Sequence, residues 1–232
     1  MKFGKFSLNA KASADTAGKA AIILFFSLVA EQKIHTIIAL LSSSAMEPFQ
    51  RCLHVAADAS ALMFVLLVIA TTFFRHRPLR AADAFEPWLS ALTGTFLAGT
   101  LTLLPPAEIP LTLVLISVGM SAVGGILSAC VLLWLGRSFS IGAQARKLVR
   151  SGPYAIVRHP LYIAEEFIVV GMLLLVFSPL ALVIAVVHWA FQVRRMIHEE
   201  KVLSAAYPDY VNYAARTPRL IPRLRPLRRS RA

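Results

Sequence analysis

Charge is scarce in this chain. Asp, Glu, Lys and Arg make up 16% of its 232 residues, whereas 57% are hydrophobic. Roughly a quarter of a soluble domain is charged, so the polar surface is too small for a large soluble body. Cysteine is almost absent: Cys52 and Cys130 lie in different segments and no Cys-x-x-Cys occurs. That argues against a disulfide framework and a zinc site, and no metal is expected. Acidic residues are few, 12 against 24 basic ones, for a formal net charge of +12. Such a balance serves either nucleic acid or anionic lipid. Here the basic residues fall between apolar runs and at both ends, the placement of juxtamembrane segments, so nucleic acid is excluded as a partner. The Gly-x-Gly-x-x-Gly of a dinucleotide-binding turn is missing too, and so is a Ser-His-Asp or Cys-His constellation for covalent catalysis.

What the chain has in abundance is long apolar runs. A helix needs about 20 such residues to cross a bilayer. Six candidates stand at about 20–43, 55–74, 88–104, 109–135, 161–177 and 179–194. Pro105-Pro106 and Ser178-Pro179 mark tight turns between neighbours. Glu31, Gln32, Lys33 and His35 interrupt the first run, so the expectation is six spans, or five if the first does not cross. Lys2, Lys5, Lys11 and Lys19 precede the first span, and Arg75, Arg77 and Arg80 follow the second. Arg137, Arg146, Lys147, Arg150 and Arg158 follow the fourth, and the stretch from Arg194 onward is the most basic of all. Of the alternate loops only one carries a basic residue, Arg51. The positive-inside rule then places both termini in the cytoplasm of a multi-pass protein in a bacterial-type plasma membrane. Ser117, Ser121, Gly125 and Ala129, spaced by four, read as a helix-packing stripe. The resulting organisation is all-α: a basic tail at 1–19, four transmembrane helices at 20–135, a functional half at 136–222 built on a C-terminal helical hairpin, and a basic tail at 223–232.

Polar residues cluster at 137–160 and 194–213, the flanks of the last two apolar segments. An up-and-down hairpin returns Arg158-His159-Pro160 and His198-Glu199-Glu200 to the same membrane face. The order Gly152-Pro153-Tyr154, then Val157-Arg158-His159-Pro160-Leu161-Tyr162, resembles the Gly-x-Tyr-x-x-x-Arg-His-Pro-x-Tyr motif of the isoprenylcysteine carboxyl methyltransferases and phospholipid methyltransferases. The rest follows in order: Glu199-Glu200, Tyr207-x-x-Tyr210-x-x-Tyr213 and Arg219-Leu220-Ile221-Pro222, with Leu135 to Ser140 upstream. The resemblance covers about 134–222. It implies an integral membrane enzyme that moves a methyl group from S-adenosylmethionine to a lipophilic acceptor, either a prenylcysteine-like carboxylate or a phospholipid amine.

The residue chemistry agrees with that implication. A sulfonium cofactor with an amino-acid end and an adenine wants a cation for its carboxylate, acceptors for its ammonium and aromatic walls. Arg158 and His159 supply the first, Glu199 and Glu200 the second, Tyr154 and Tyr162 the third. Pro160 is expected to start a helix. Glu199 has Arg195 one turn before it; Glu200 has Met196 and Ile197 there, so Glu200 is the carboxylate expected to be left for a ligand. Glu165 and Glu166 stand where the family has small or apolar residues, and Glu166 shares a helical face with His159 and Tyr162. Arg158, Glu200 and Glu166 are therefore the expected catalytic residues. Plainer readings stay open: Arg158 as a topology anchor, Glu166 as an interfacial ion-pair member, the late tyrosines as belt residues. Two other function classes also stay open, an NADPH-dependent membrane reductase of the sterol-reductase type and a non-enzymatic lipid carrier. No obligate protein partner is expected.

Overall fold

The computed structural model describes residues 3–44, 46–82 and 85–222. The basic tail 223–232 lies outside them. Helix α1, Phe3–Ser42, takes in the expected N-terminal tail and the first apolar run as one element. It is followed by α2 (Pro48–Phe74), α3 (Phe85–Phe96), α4 (Leu111–Leu135), α5 (Pro153–Ile156), α6 (Pro160–Leu175), α7 (Pro179–Ala206) and α8 (Tyr210–Arg216). Two-residue strands, β1 at Arg80–Ala81 and β2 at Gln144–Ala145, pair antiparallel.

Among the described residues, four stretches are long and apolar enough to cross a bilayer: Gly18–Ser42, Pro48–Phe74, Leu111–Ser138 and Pro179–Ala206. The third and fifth expected segments are helical but shorter. Helix α3 stops after 12 residues and continues as a 3₁₀ turn, Leu97–Leu103. There Thr100 and Thr102 donate their hydroxyls to the carbonyls of Leu97 and Gly99, both at 2.7 Å, and so compete with α-helical bonding. Helix α6 has 16 residues, which at 1.5 Å each falls short of a hydrocarbon layer about 30 Å thick.

The expected hairpin is looser than its tight connection suggests. Ser178 caps α7, its hydroxyl accepting the Ala181 N–H at 3.2 Å with Pro179 as first helical residue. Beyond that turn the two helices part. Helix α6 lies along α4, whereas α7 lies along α3. Small residues explain the first pairing. A Cβ added to Gly171 would sit 2.5 Å from the Ser121 hydroxyl, and Ser117 donates to the Gly171 carbonyl at 2.5 Å. On another side of α4, a Cβ on Gly125 would sit 2.4 Å from the Ser60 hydroxyl of α2. The stripe read in the sequence as packing is thus where α4 meets α6 and α2. In α1, Lys33 pairs with Asp58 of α2 at 2.6 Å, which satisfies one of the charges interrupting the first run.

The loop after α2 and the loop after α4, both basic, join at one end of the bundle through β1 and β2. At the other end Ala107 N–H donates to the Leu175 carbonyl at 2.8 Å.

Candidate active site

The site is built where chain segments 152–162, 195–203 and 207–220 meet at the end bearing the basic loops. Its first part is a turn forced by sequence. Gly152 has φ +60, and a Cβ there would collide with the Trp134 indole at 2.3 Å. Only glycine meets both conditions. Pro160 opens α6 and is buried, a structural role, and it biases His159 before it toward extended backbone. The backbone of 158–159 is thereby free to pair with the segment that follows α8. Arg158 N–H donates to the Pro218 carbonyl at 2.9 Å, and His159 N–H to that of Arg219 at 3.2 Å. The 217–222 segment is in effect a strap laid over the Arg-His-Pro turn.

Of the two adjacent carboxylates, Glu200 sits differently from the sequence expectation. Glu200 is not left for a ligand; it is the most heavily paired acid of the site. His159 Nε2 lies 2.9 Å from one oxygen, and Arg158 Nη1 lies 3.2 Å from the other. Arg219 adds a bidentate pair, Nε at 3.0 Å and Nη2 at 2.7 Å. Helical spacing missed these partners because all three come from distant segments. Glu199 does pair with Arg195, at 3.3 Å. That pair is not a surface one, since Arg195 is 4% exposed and its guanidinium lies 4.9 Å from the Tyr162 ring centroid. Glu199 also accepts the Tyr162 hydroxyl at 2.5 Å. His198 turns away to Glu86 of α3, which Arg194 also holds.

Two clefts adjoin these groups. A polar cleft is lined by Ser138, Arg146, Arg158, His159, Glu199 and Tyr210, with Tyr154 and Tyr213 also on its wall. Glu200 stands behind it. Burial pushes the hydroxyls of Tyr154, Tyr210 and Tyr213 upward, Tyr213 to about 12. All three therefore stay protonated at neutral pH, and Tyr213 donates to the Tyr154 carbonyl at 2.6 Å. Of the late tyrosines, Tyr210 and Tyr213 line this cleft, whereas Tyr207 lies outside its lining and donates to the Arg146 carbonyl at 3.1 Å. The second cleft, about 280 Å³, is apolar and lies between α4, α6, α7 and Leu220 of the strap. Glu166 lines it, 3.2 Å from His188 Nε2 of α7. Glu165 is instead behind, 3.5 Å from the Gln192 amide. Tyr162 lines both clefts.

Arg195 and Arg219 escaped the sequence reading as site residues. Arg195 looked like half of a helix-surface pair, and Arg219 like one more basic residue of the tail. The signal available for Arg219 was its place in the Arg-Leu-Ile-Pro string at the end of the motif series.

Residues 116–205 match the isoprenylcysteine carboxyl methyltransferase (ICMT) family. The chain is 32% identical over 115 residues to the cobalt-zinc-cadmium resistance protein CzcN of Cupriavidus metallidurans, covering 49% of this chain and 50% of that protein. It is 33% identical over 115 residues to the nickel-cobalt-cadmium resistance protein NccN of Alcaligenes xylosoxydans xylosoxydans, with the same coverage of 49% and 50%. It is 36% identical over 110 residues to protein-S-isoprenylcysteine O-methyltransferase B of Arabidopsis thaliana, covering 44% and 56%. The alignments span about half the length of these curated relatives. The matched segment holds Arg158, His159, Tyr162, Glu199 and Glu200, and leaves out α8 and the strap. Residues 116–205, which supply most of the lining of both clefts, are thus similar to the isoprenylcysteine carboxyl methyltransferase family.

Proposed function

We propose that this protein is a membrane methyltransferase that takes its methyl group from S-adenosylmethionine and gives it to a lipophilic acceptor. The carrying observation is that a polar cleft with cationic and aromatic walls meets an apolar cleft at one side chain, Tyr162. The donor set fits the cofactor. Arg158 keeps a buried, unpartnered Nε that a ligand carboxylate would satisfy. Glu199 offers acceptor oxygens for an ammonium, and the tyrosines offer aromatic faces for a base. S-adenosylmethionine, when bound, supplies an activated methyl on a cationic sulfur. Methyl transfer is a direct displacement, so the chain need only position and polarise. In this reading Arg158, His159, Tyr154, Tyr162 and Glu199 bind the cofactor. Pro160 sets the turn, and Glu200 works by holding Arg158 and His159. Residues 136–222 form the catalytic half, carried on the helices of 20–135.

Purified protein in a non-ionic detergent should bind S-adenosylhomocysteine and not NADPH. Calorimetry reads both. NADPH binding without S-adenosylhomocysteine binding would replace this reading with the reductase one.

The same reading takes the four long apolar helices as crossings of a bacterial-type plasma membrane, with both termini cytoplasmic. The meeting of the two basic loops at one end of the bundle supports it. Reporter fusions before Phe3 and after Pro222 should both report a cytoplasmic position. A C-terminus outside the cytoplasm would put the cofactor cleft on the wrong side of the membrane.

A further inference from the structure

The apolar cleft between α4, α6 and α7 carries more information than its greasiness. Its outer rim is made of Phe167, Val170 and Trp189, 39%, 41% and 55% exposed, on the outside of the bundle, where a bilayer would meet it. A hydrocarbon chain therefore has a lateral way in. The inner end reaches Tyr162, which is also the wall of the polar cleft. One helical turn from Tyr162 stands Glu166, in the same cleft. Its side chain is 27% exposed, whereas its partner His188 is 3% exposed and sits behind it. The face offered to an occupant is thus the carboxylate. His188 also carries a buried Nδ1 with no hydrogen-bond partner. The other polar side chain lining the inner end is Gln192, which donates to Glu165 at 3.5 Å and accepts from Arg195 at 3.5 Å, so Glu166 is the carboxylate this cleft presents. Arg195, the buried cation of α7, lines the polar cleft and is held by Glu199.

We infer that this cleft is the acceptor site and that Glu166 selects an acceptor with an amine head on a hydrocarbon tail. This rests on the methyltransferase reading and names its substrate class. A carboxylate head, by contrast, would enter beside Glu166 with no Lys or Arg among the described residues that line the cleft, a repulsive arrangement. The chemistry balances with groups on the page. A protonated amine gives one proton to the Glu166 carboxylate, which His188 holds in place. The freed nitrogen lone pair then forms the new N–C bond as the methyl–sulfur bond breaks, its electron pair remaining on sulfur. The products are a methylated ammonium, a thioether and the proton left on Glu166.

The test uses the full chain in a non-ionic detergent with three probes of equal tail length: dodecylamine, dodecanoate and dodecanol. Binding is followed by the fluorescence of Trp189, read as the difference from a Trp189→Phe protein, so that Trp134 keeps its place against the Gly152 turn. The amine should bind about 10-fold or more tighter than the carboxylate, the gain expected from one charge-assisted contact. In Glu166→Gln the amine should fall to within about twofold of the alcohol, with the alcohol itself unchanged. Should Glu166→Gln not fold, the ranking of the three probes on the unsubstituted protein decides alone. Dodecanoate binding as tightly as dodecylamine, or an amine preference that survives in Glu166→Gln, would overturn the assignment. S-adenosylhomocysteine binding, measured in the same samples, separates the two levels. If it is intact while the amine preference is missing, only the acceptor class is wrong; if it is missing, the methyltransferase reading and this inference fall together.

Discussion

Glu200→Gln should weaken S-adenosylhomocysteine binding by about 10- to 150-fold, the loss of one charge-assisted contact, and lower the thermal midpoint as well. The residue does not line the polar cleft. Its effect comes through Arg158 and His159, which it holds at 3.2 and 2.9 Å, and through Arg219, which ties down the strap. Glutamine keeps the shape and removes the charge, leaving three cationic or potentially cationic groups without their shared counterion. Removing one partner of a buried ion pair typically costs about 3–5 kcal/mol; with 12% of the Glu200 side chain exposed, the lower end applies. Structural loss alone would lower stability without touching affinity in the surviving fold, so the two readouts must be taken together. Arg219→Gln is the discriminating companion. It loosens the strap yet leaves Arg158 and His159 on Glu200, so affinity should fall far less. Equal affinity in wild type and Glu200→Gln would show that the clamp does not position the cofactor's partners, and Glu199 would become the acid that matters.

Arg158→Ala should reduce S-adenosylhomocysteine affinity to a similar extent, about 10- to 150-fold, and here the protein should remain folded. Glu200 retains His159 and Arg219 after the change. The informative variant is Arg158→Lys. Lysine preserves the positive charge that a topology anchor requires, but it loses the planar fork by which one side chain serves Glu200 and a ligand carboxylate at once. Affinity should therefore stay low in Arg158→Lys while membrane orientation stays normal. Full affinity in Arg158→Lys would reduce Arg158 to a diffuse charge.

The convergence of Arg158-His159 with Glu199-Glu200 was legible in the sequence because a tight turn at Ser178-Pro179 must bring the flanks of two apolar helices to one end. The path between those flanks was not. Spacing in span four announced a close helix contact but could not say that Gly171 of α6 was the partner. Counting apolar residues likewise ignored how Thr100 and Thr102 break α3 into a 3₁₀ turn. The acidic pair was harder still. Adjacent residues on a helix point about 100° apart, so which of Glu199 and Glu200 faces the cleft depends on the rotation of α7. The third cation on Glu200 depends on backbone pairing between residues 158–159 and 218–219, a contact across some 60 residues. Glu166 was visible as an oddity, a charge entering an apolar helix, and the structure gives it both a partner and a cavity.

That a single phenol ring, Tyr162, forms a wall of both clefts has a consequence for inhibitor design. A compound that joins a nucleoside-like half to an aliphatic half needs only a short linker, one that passes the edge of that ring. Its two halves must diverge from there, one toward the aqueous end of the bundle and one toward the acyl chains. Selectivity would come from the aliphatic half, because its surroundings hold the Glu166 carboxylate.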